Sequence, residues 1–106
     1  MTLTFKELSP FTARLGKRLD AESYRRLQLH LLDHPEAGAV MPRTGGWRKL
    51  RWAPTGHGKR GGVRVIYYLR TASHVIYFAD LYDKGEKATL SRAEEDALRA
   101  ITQSLP

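Results

Sequence analysis

The sequence predicts an α+β domain with a small, mostly antiparallel sheet. Apolar residues recur at helical spacing over the first third of the chain, alternate with period two over residues 45–82, and return to helical spacing near the C-terminus. The predicted order is strand, helix, helix, strand, strand, strand, helix. At 106 residues, the chain is expected to be a single domain, residues 1–106, with one core.

The N-terminal third is predicted to form a short strand and a helical hairpin. Residues 2–6 alternate enough for a strand, and Ser9 followed by Pro10 marks the start of the first helix. The second helix begins near Asp20 and must end before Pro35. Its expected buried stripe consists of Tyr24, Leu27, Leu31 and Leu32. Each helix has one apolar side, so the hairpin is expected to cover one face of the sheet.

Period-two alternation from Gly45 onward predicts three consecutive antiparallel strands. The segments WRKLRWA and VRVIYYLR supply the first two, and HVIYFADLY, residues 74–82, supplies the third. The link of residues 71–73 is short enough for a hairpin. A capping box from Ser91 to Glu94 then predicts a helix that continues to the end of the chain.

Positive charge is concentrated in the middle of the chain. The net charge is +7, and residues 37–79 contain eight Lys or Arg but no Asp or Glu. This segregation favours a polyanion-binding surface, because contacts to phosphates release counterions. A surface that serves only solubility is the alternative. Strand alternation places Lys49 and Arg51 on one sheet face, and Arg64 joins them if its strand pairs in register.

Several classes of site are excluded or disfavoured. The chain has no cysteine, which excludes disulfides, thiolate metal sites and cysteine nucleophiles. The segment PTGHGKRGG, residues 54–62, lacks the Lys-Ser/Thr ending of a P-loop and precedes a strand, so a mobile basic loop on a nucleic-acid backbone is favoured. His30 and His34 have helical metal-pair spacing without a supporting carboxylate motif, so no metal site is predicted. His57 is a second-rank acid or base.

The residue types that remain available for catalysis are lysine, arginine, tyrosine and histidine. That set suits cleavage of RNA by its own 2′-hydroxyl, which requires alignment, charge stabilisation and proton transfer. The N-terminus lacks a signal peptide and no apolar run approaches a membrane span, so a cytoplasmic protein without a membrane partner is expected.

The segments GGWRKLRWAPTGHGKRGGVRVIYYL and IYFADLYDKGEKATLSRAEEDAL resemble the RelE/HigB toxins of bacterial type II toxin–antitoxin systems over residues 45–98. The resemblance implies a RelE-like fold, with the helices on one face of a curved antiparallel sheet and the active surface on the other. It also implies an mRNA endoribonuclease without metal or cofactor that acts on the ribosome, near rRNA, and inhibits translation. Its expected partner is a helix-turn-helix antitoxin, and the toxin reaches operator DNA only through that complex.

The same resemblance, together with the chemistry of the residues, gives a set of expected site residues. Arg64 matches the arginine that contacts the scissile phosphate, and it is expected to stabilise the pentacoordinate phosphorus. Lys84 is the expected general base because neighbouring cations disfavour its charged form, with Lys49 as its substitute. Other substrate-binding residues are Arg51, Lys87, Tyr82, Lys59, Arg60 and His57. Tyr82 either stacks on a base or closes the core. Some relatives use a later tyrosine that this chain lacks, which leaves the acid and base open.

Two alternatives keep a similar fold or surface and change the function. ParE-like relatives inhibit DNA gyrase instead of cutting RNA, although they generally lack the full cationic set. A non-catalytic nucleic-acid-binding module would bind RNA and leave it whole.

Overall fold

The computed structural model describes residues 2–53 and 62–106 and confirms the predicted α+β class. The elements are β1 (Thr4–Glu7), α1 (Ser9–Arg18), α2 (Ala21–Asp33), β2 (Ala39–Val40), β3 (Arg48–Trp52), β4 (Val63–Arg70), β5 (Val75–Asp83) and α3 (Arg92–Thr102). The short strand β2 was not predicted, and α3 ends three residues before Leu105. None of the helices in these two ranges is long and apolar enough to cross a membrane.

The five described strands form one sheet in the order β1-β5-β4-β3-β2. The predicted antiparallel meander of β3, β4 and β5 is confirmed, and β2 extends it antiparallel to β3. β1 pairs in parallel with β5 at the opposite edge. A register irregularity between Ile66 and Tyr67 interrupts the β4–β5 ladder, as a β-bulge does.

The N-terminal helical hairpin packs on one face of the sheet, as predicted. Phe11 of α1 stacks on Phe78 of β5 with ring centroids 4.7 Å apart, and Leu27 and Leu31 of α2 are fully buried in the same cluster. The prediction that Leu32 belongs to the buried stripe is wrong, because its side chain is 43% exposed. Leu31 takes the inward position, and the next residue lies about 100° around the helix.

Helix α3 packs on the other face of the sheet. Its residue Leu98 lies in a second buried cluster with Trp47, Ile66 and Tyr77, and the Trp47 indole donates a 2.9 Å hydrogen bond to the Leu98 carbonyl. The expectation that all helices share one face is therefore wrong. The alternating strands carry apolar side chains on both faces, and both faces require cover.

The start of α3 follows the sequence prediction closely. The Ser91 hydroxyl accepts a hydrogen bond from the Glu94 backbone N–H at 3.1 Å, and the Glu94 carboxylate accepts one from the Ser91 backbone N–H at 2.8 Å. The predicted capping box is thus present, and it satisfies two backbone donors at the helix start.

Gly62 fixes the geometry at the end of the β3–β4 hairpin. Its φ is +63°, and a Cβ atom there would lie 2.3 Å from the Trp52 carbonyl oxygen. A larger residue would clash with the backbone of β3, so glycine is required at this position. The close approach brings the first pair of the ladder, Trp52 and Val63, together.

Candidate nucleic-acid interface

Three of the predicted cations lie together on the sheet face that carries α3. Arg51 of β3 is directly opposite Arg64 of β4, and Arg64 is directly opposite Tyr82 of β5. Lys49 lies two residues before Arg51 and therefore points to the same side of the sheet. The predicted shared face of Lys49, Arg51 and Arg64 is confirmed.

The pairing of two arginines across the strands is electrostatically unfavourable by itself. Like charges directly opposite each other in an antiparallel pair destabilise the sheet. Arg51 is exposed and Arg64 is half-buried, and both take part in other interactions of the fold. Each guanidinium can make two hydrogen bonds to a phosphate, so the two side chains suit an anionic ligand.

Lys84 and Lys87 follow β5 at the same end of the sheet, because Asp83 pairs with Val63. Lys84 is exposed in the turn after the strand. The Lys87 ammonium is 2.5 Å from a Glu94 carboxylate oxygen and 4.8 Å from the centroid of the Tyr82 ring. The hydrogen bond from Lys87 lowers the pKa of Glu94. A phosphate at Lys87 would therefore compete with Glu94 for the same ammonium group.

Tyr82 is buried, with 1% of its surface exposed. Burial raises the pKa of its phenol, and the positive charge of Arg64 opposes that rise. Within residues 2–53 and 62–106, its hydroxyl has no hydrogen-bond partner. A base can stack only on an exposed ring face, so the position of Tyr82 favours the core alternative over base stacking.

Two ion pairs, which the sequence analysis did not identify, attach α1 to β5 and to the turn that carries Lys84. Arg14 donates to both carboxylate oxygens of Asp80 at 2.7 Å, and Arg18 makes a two-point ion pair with Glu86. The hydrogen bond from Arg18 is the main cause that lowers the pKa of Glu86 to about 2. The Arg18 and Glu86 positions are 68 residues apart, so no local spacing indicates the contact.

The remaining predicted site residues, His57, Lys59 and Arg60, lie outside the described residues. His30 and His34 lie at the end of α2, with ring centroids 5.2 Å apart, and His30 is 5.3 Å from Trp52. In the part of the chain that the structure describes, no group of three or more His, Asp or Glu side chains could hold a metal ion.

Comparisons with known proteins agree with this architecture. The chain is similar to a mutant of the E. coli toxin RelE in the free state, at 15% identity over 99% of this chain and 100% of that chain, with a TM-score of 0.60. It is also similar to a chain of the intact E. coli RelBE toxin–antitoxin complex, at 13% identity over 77% of this chain and 96% of that chain, with a TM-score of 0.57. At these identities, the likeness shows the fold.

The family comparison extends this result from fold to family. Residues 35–106 match the family described as the RelE toxin of the RelE/RelB toxin–antitoxin system. The matched range includes β2 to β5 and α3, and with them Lys49, Arg51, Arg64, Lys84 and Lys87. The chain therefore belongs to the RelE family of toxins from toxin–antitoxin systems.

Proposed function

We propose that this toxin is an endoribonuclease that cuts mRNA on the translating ribosome and is neutralised by a cognate antitoxin. The observation that carries the proposal is the in-register placement of Lys49, Arg51 and Arg64 on one sheet face. Membership of the RelE toxin family supports the proposal, because the resemblance of the sequence to RelE/HigB toxins implies this activity.

The proposed reaction uses the substrate's own 2′-hydroxyl as the nucleophile. Its oxygen bonds to the adjacent phosphorus, the bond from phosphorus to the 5′-oxygen of the next nucleotide breaks, and a 2′,3′-cyclic phosphate remains. A general base takes the proton of the 2′-hydroxyl, and a general acid protonates the leaving oxygen. The reaction needs no oxidant, metal or organic cofactor in this form.

Arg64 is the proposed stabiliser of the pentacoordinate phosphorus. A guanidinium stays charged at neutral pH and can donate two parallel hydrogen bonds to the phosphoryl oxygens. Arg51, directly opposite, would hold the same or the neighbouring phosphate. Lys84 remains the proposed general base, with Lys49 as its alternative. Lys84 is exposed just after β5, at the same end of the sheet as Arg64, and Lys49 shares the face of Arg51. None of the ion pairs among the described residues includes either lysine.

The proposed partners follow from the same interpretation. The RelBE complex is a toxin–antitoxin assembly of a relative, and a corresponding antitoxin, expected to be a helix-turn-helix protein, would bind this chain. Contact with operator DNA would occur only through that complex. The messenger RNA and the surrounding rRNA would meet the cationic face in the cytoplasm.

Replacement of Arg64 tests the proposal. Induction of the wild-type chain should halt growth and create new RNA 5′ ends within translated messages. Arg64→Ala should reduce these ends by about 100-fold or more, the usual cost of removing one transition-state donor. Arg25→Ala removes an exposed arginine from α2, on the opposite side of the sheet, and should cut like the wild type.

Matched expression levels and co-purification with the antitoxin control for folding. An Arg64→Ala protein that cuts like the wild type would remove Arg64 from the mechanism. Growth arrest without new RNA ends, together with altered DNA supercoiling, would instead support the gyrase-inhibitor alternative.

A further inference from the structure

A cleft of about 300 Å³ opens beside Lys49 on the α3 face of the sheet. This volume lies at the lower end of the range for small-ligand sites. The cleft lies between the segment after β2 and the start of α3. Its lining side chains include Met41, Arg43, Lys49, Thr89, Leu90 and Glu95. Lys49 belongs both to the cleft and to the cationic face, so the two are continuous.

The walls of the cleft combine apolar surface with one fixed polar pair. Met41 and Leu90 supply apolar contact area. The Arg43 guanidinium donates to the two Glu95 carboxylate oxygens at 2.9 and 3.3 Å. A carboxylate accepts about four hydrogen bonds, so Glu95 retains capacity for further donors. Its side chain is 13% exposed, which limits the water available to supply them.

The backbone at Arg43 also indicates a specialised position. Its φ is +63°, in the left-handed region that residues other than glycine seldom adopt. Such conformations are found preferentially at binding sites, where the surrounding fold maintains them. Here the strained residue is the one that presents its guanidinium to Glu95.

A carboxylate beside a cationic surface selects what can enter the cleft. Glu95 repels phosphate groups and accepts hydrogen bonds from amino groups. In RNA, adenine, cytosine and guanine carry an exocyclic amino group on the edge that proteins read, whereas uracil has one N–H between two carbonyl oxygens. Lys49 and Arg51 are two residues apart on β3, about 7 Å along the strand, so a base in the cleft would be close to a phosphate held by the arginines.

We infer that this cleft binds a nucleobase of the message next to the scissile phosphate, and that Glu95 selects amino-bearing bases over uracil. This inference rests on the proposed function. Met41 and Leu90 would pack against the base, and the Glu95 carboxylate would accept a hydrogen bond from its amino group. Arg43 acts through Glu95 and holds the carboxylate in place.

Sequencing of the RNA 5′ ends produced in cells tests the inference, with each position flanking the cuts compared with the transcriptome. Wild-type cuts should be depleted in uracil about tenfold at one flanking position, the discrimination expected from one hydrogen bond to a charged group. Glu95→Gln keeps the side-chain size but adds an amide donor that suits a uracil carbonyl. It should reduce the depletion to about twofold or less while cutting continues.

Two controls match these changes. Glu22→Gln alters a glutamate in the first turn of α2, as Glu95 lies in the first turn of α3, and should preserve the wild-type preference. Thr89→Tyr fills the cleft without changing a charge, and Thr71→Tyr places the same side chain in the β4–β5 hairpin. Of the two tyrosine variants, only Thr89→Tyr should weaken the preference against uracil. If Glu95→Gln does not cut, the result for Thr89→Tyr tests the inference by itself.

The outcomes separate this inference from the proposed function. If the wild type creates no RNA ends, the proposed function fails and the inference fails with it. If the wild type cuts without uracil depletion, the inference is wrong and the nuclease proposal stands. The same conclusion follows if Thr89→Tyr and every active Glu95→Gln preparation keep the wild-type preference. In that case, the Arg43–Glu95 pair serves only to attach the segment after β2 to α3.

Discussion

Tyr67 and Tyr82 are both buried, but their hydroxyl groups differ in hydrogen bonding. Tyr67 is fully buried, and its hydroxyl accepts a hydrogen bond from the Gly38 N–H at 2.8 Å and donates one to the Pro35 carbonyl at 2.9 Å. The Tyr82 hydroxyl is equally buried but has no partner in the described ranges. A buried polar group without a partner costs free energy, whereas a paired one roughly breaks even or contributes.

The two tyrosines should therefore respond in opposite directions to loss of the hydroxyl. Tyr67→Phe leaves the Gly38 N–H and the Pro35 carbonyl without their partner and should lower the free energy of unfolding by about 1–3 kcal/mol. Tyr82→Phe removes an unpaired hydroxyl and should leave that free energy unchanged or raise it by about 1 kcal/mol. Denaturant unfolding of both purified variants measures the difference. Destabilisation of Tyr82→Phe by more than about 1 kcal/mol would show that the hydroxyl has a partner in the folded protein.

Helix α1 is connected to the turn after β5, which carries Lys84. Arg18, at the end of α1, makes its ion pair with Glu86, and the same carboxylate accepts a 2.7 Å hydrogen bond from the Asp83 N–H. The Glu86 N–H in turn donates to the Asp83 carbonyl at 2.9 Å. This network closes the turn around Lys84, so a helix remote from the cations helps to fix the position of the proposed base.

The ion pair makes a prediction about stability and pH. Arg18 and the Asp83 N–H lower the pKa of Glu86 from 4.5 to about 2. A lowered folded-state pKa stabilises the protein above the unfolded-state value, and this stabilisation is lost as the pH falls toward 2. Glu86→Gln should therefore lower the Tm at pH 7, and the difference from the wild type should shrink between pH 5 and pH 2.5. Glu22→Gln serves as the control, and a difference independent of pH would show that the Glu86 charge is not involved.

Local elements were predictable from the sequence because their signals are local. The Ser91–Glu94 capping box and the alternation in VRVIYYLR depend on residues within a few positions of each other, and both were confirmed. Alternation also placed Lys49 and Arg51 on one face, whereas Arg64 joins them only through the register of β3 and β4, which the structure shows. The side of the sheet that α3 covers, and the pairing of Lys87 with Glu94, depend on tertiary packing that no short pattern encodes.

For the whole molecule, part of the basic middle segment becomes a cluster of positive charge in space, because Lys49, Arg51 and Arg64 lie on one sheet face. Residues 37–79 hold eight Lys or Arg and no acid, and the described part of this segment includes β2, β3, β4 and the first part of β5. The N-terminal helices lie across the sheet from Arg51 and Arg64 and carry both signs of charge. A single-stranded polyanion would therefore be attracted to one side of the molecule, and the attraction would weaken with salt.

The salt dependence of RNA binding should show which cations contact phosphates in the complex. For single strands, the logarithm of the binding constant falls with the logarithm of salt concentration with a slope of about −0.7 per phosphate contact. Binding of a 2′-O-methyl oligonucleotide, which cannot be cleaved, should lose about 0.7 from this slope in Arg51→Ala. Arg25→Ala, on the other side of the sheet, should keep the full slope. Lys87→Ala should change the slope less than Arg51→Ala, because the Lys87 ammonium is paired with Glu94 before RNA binds. Equal losses in Lys87→Ala and Arg51→Ala would show that Lys87 exchanges Glu94 for a phosphate on binding.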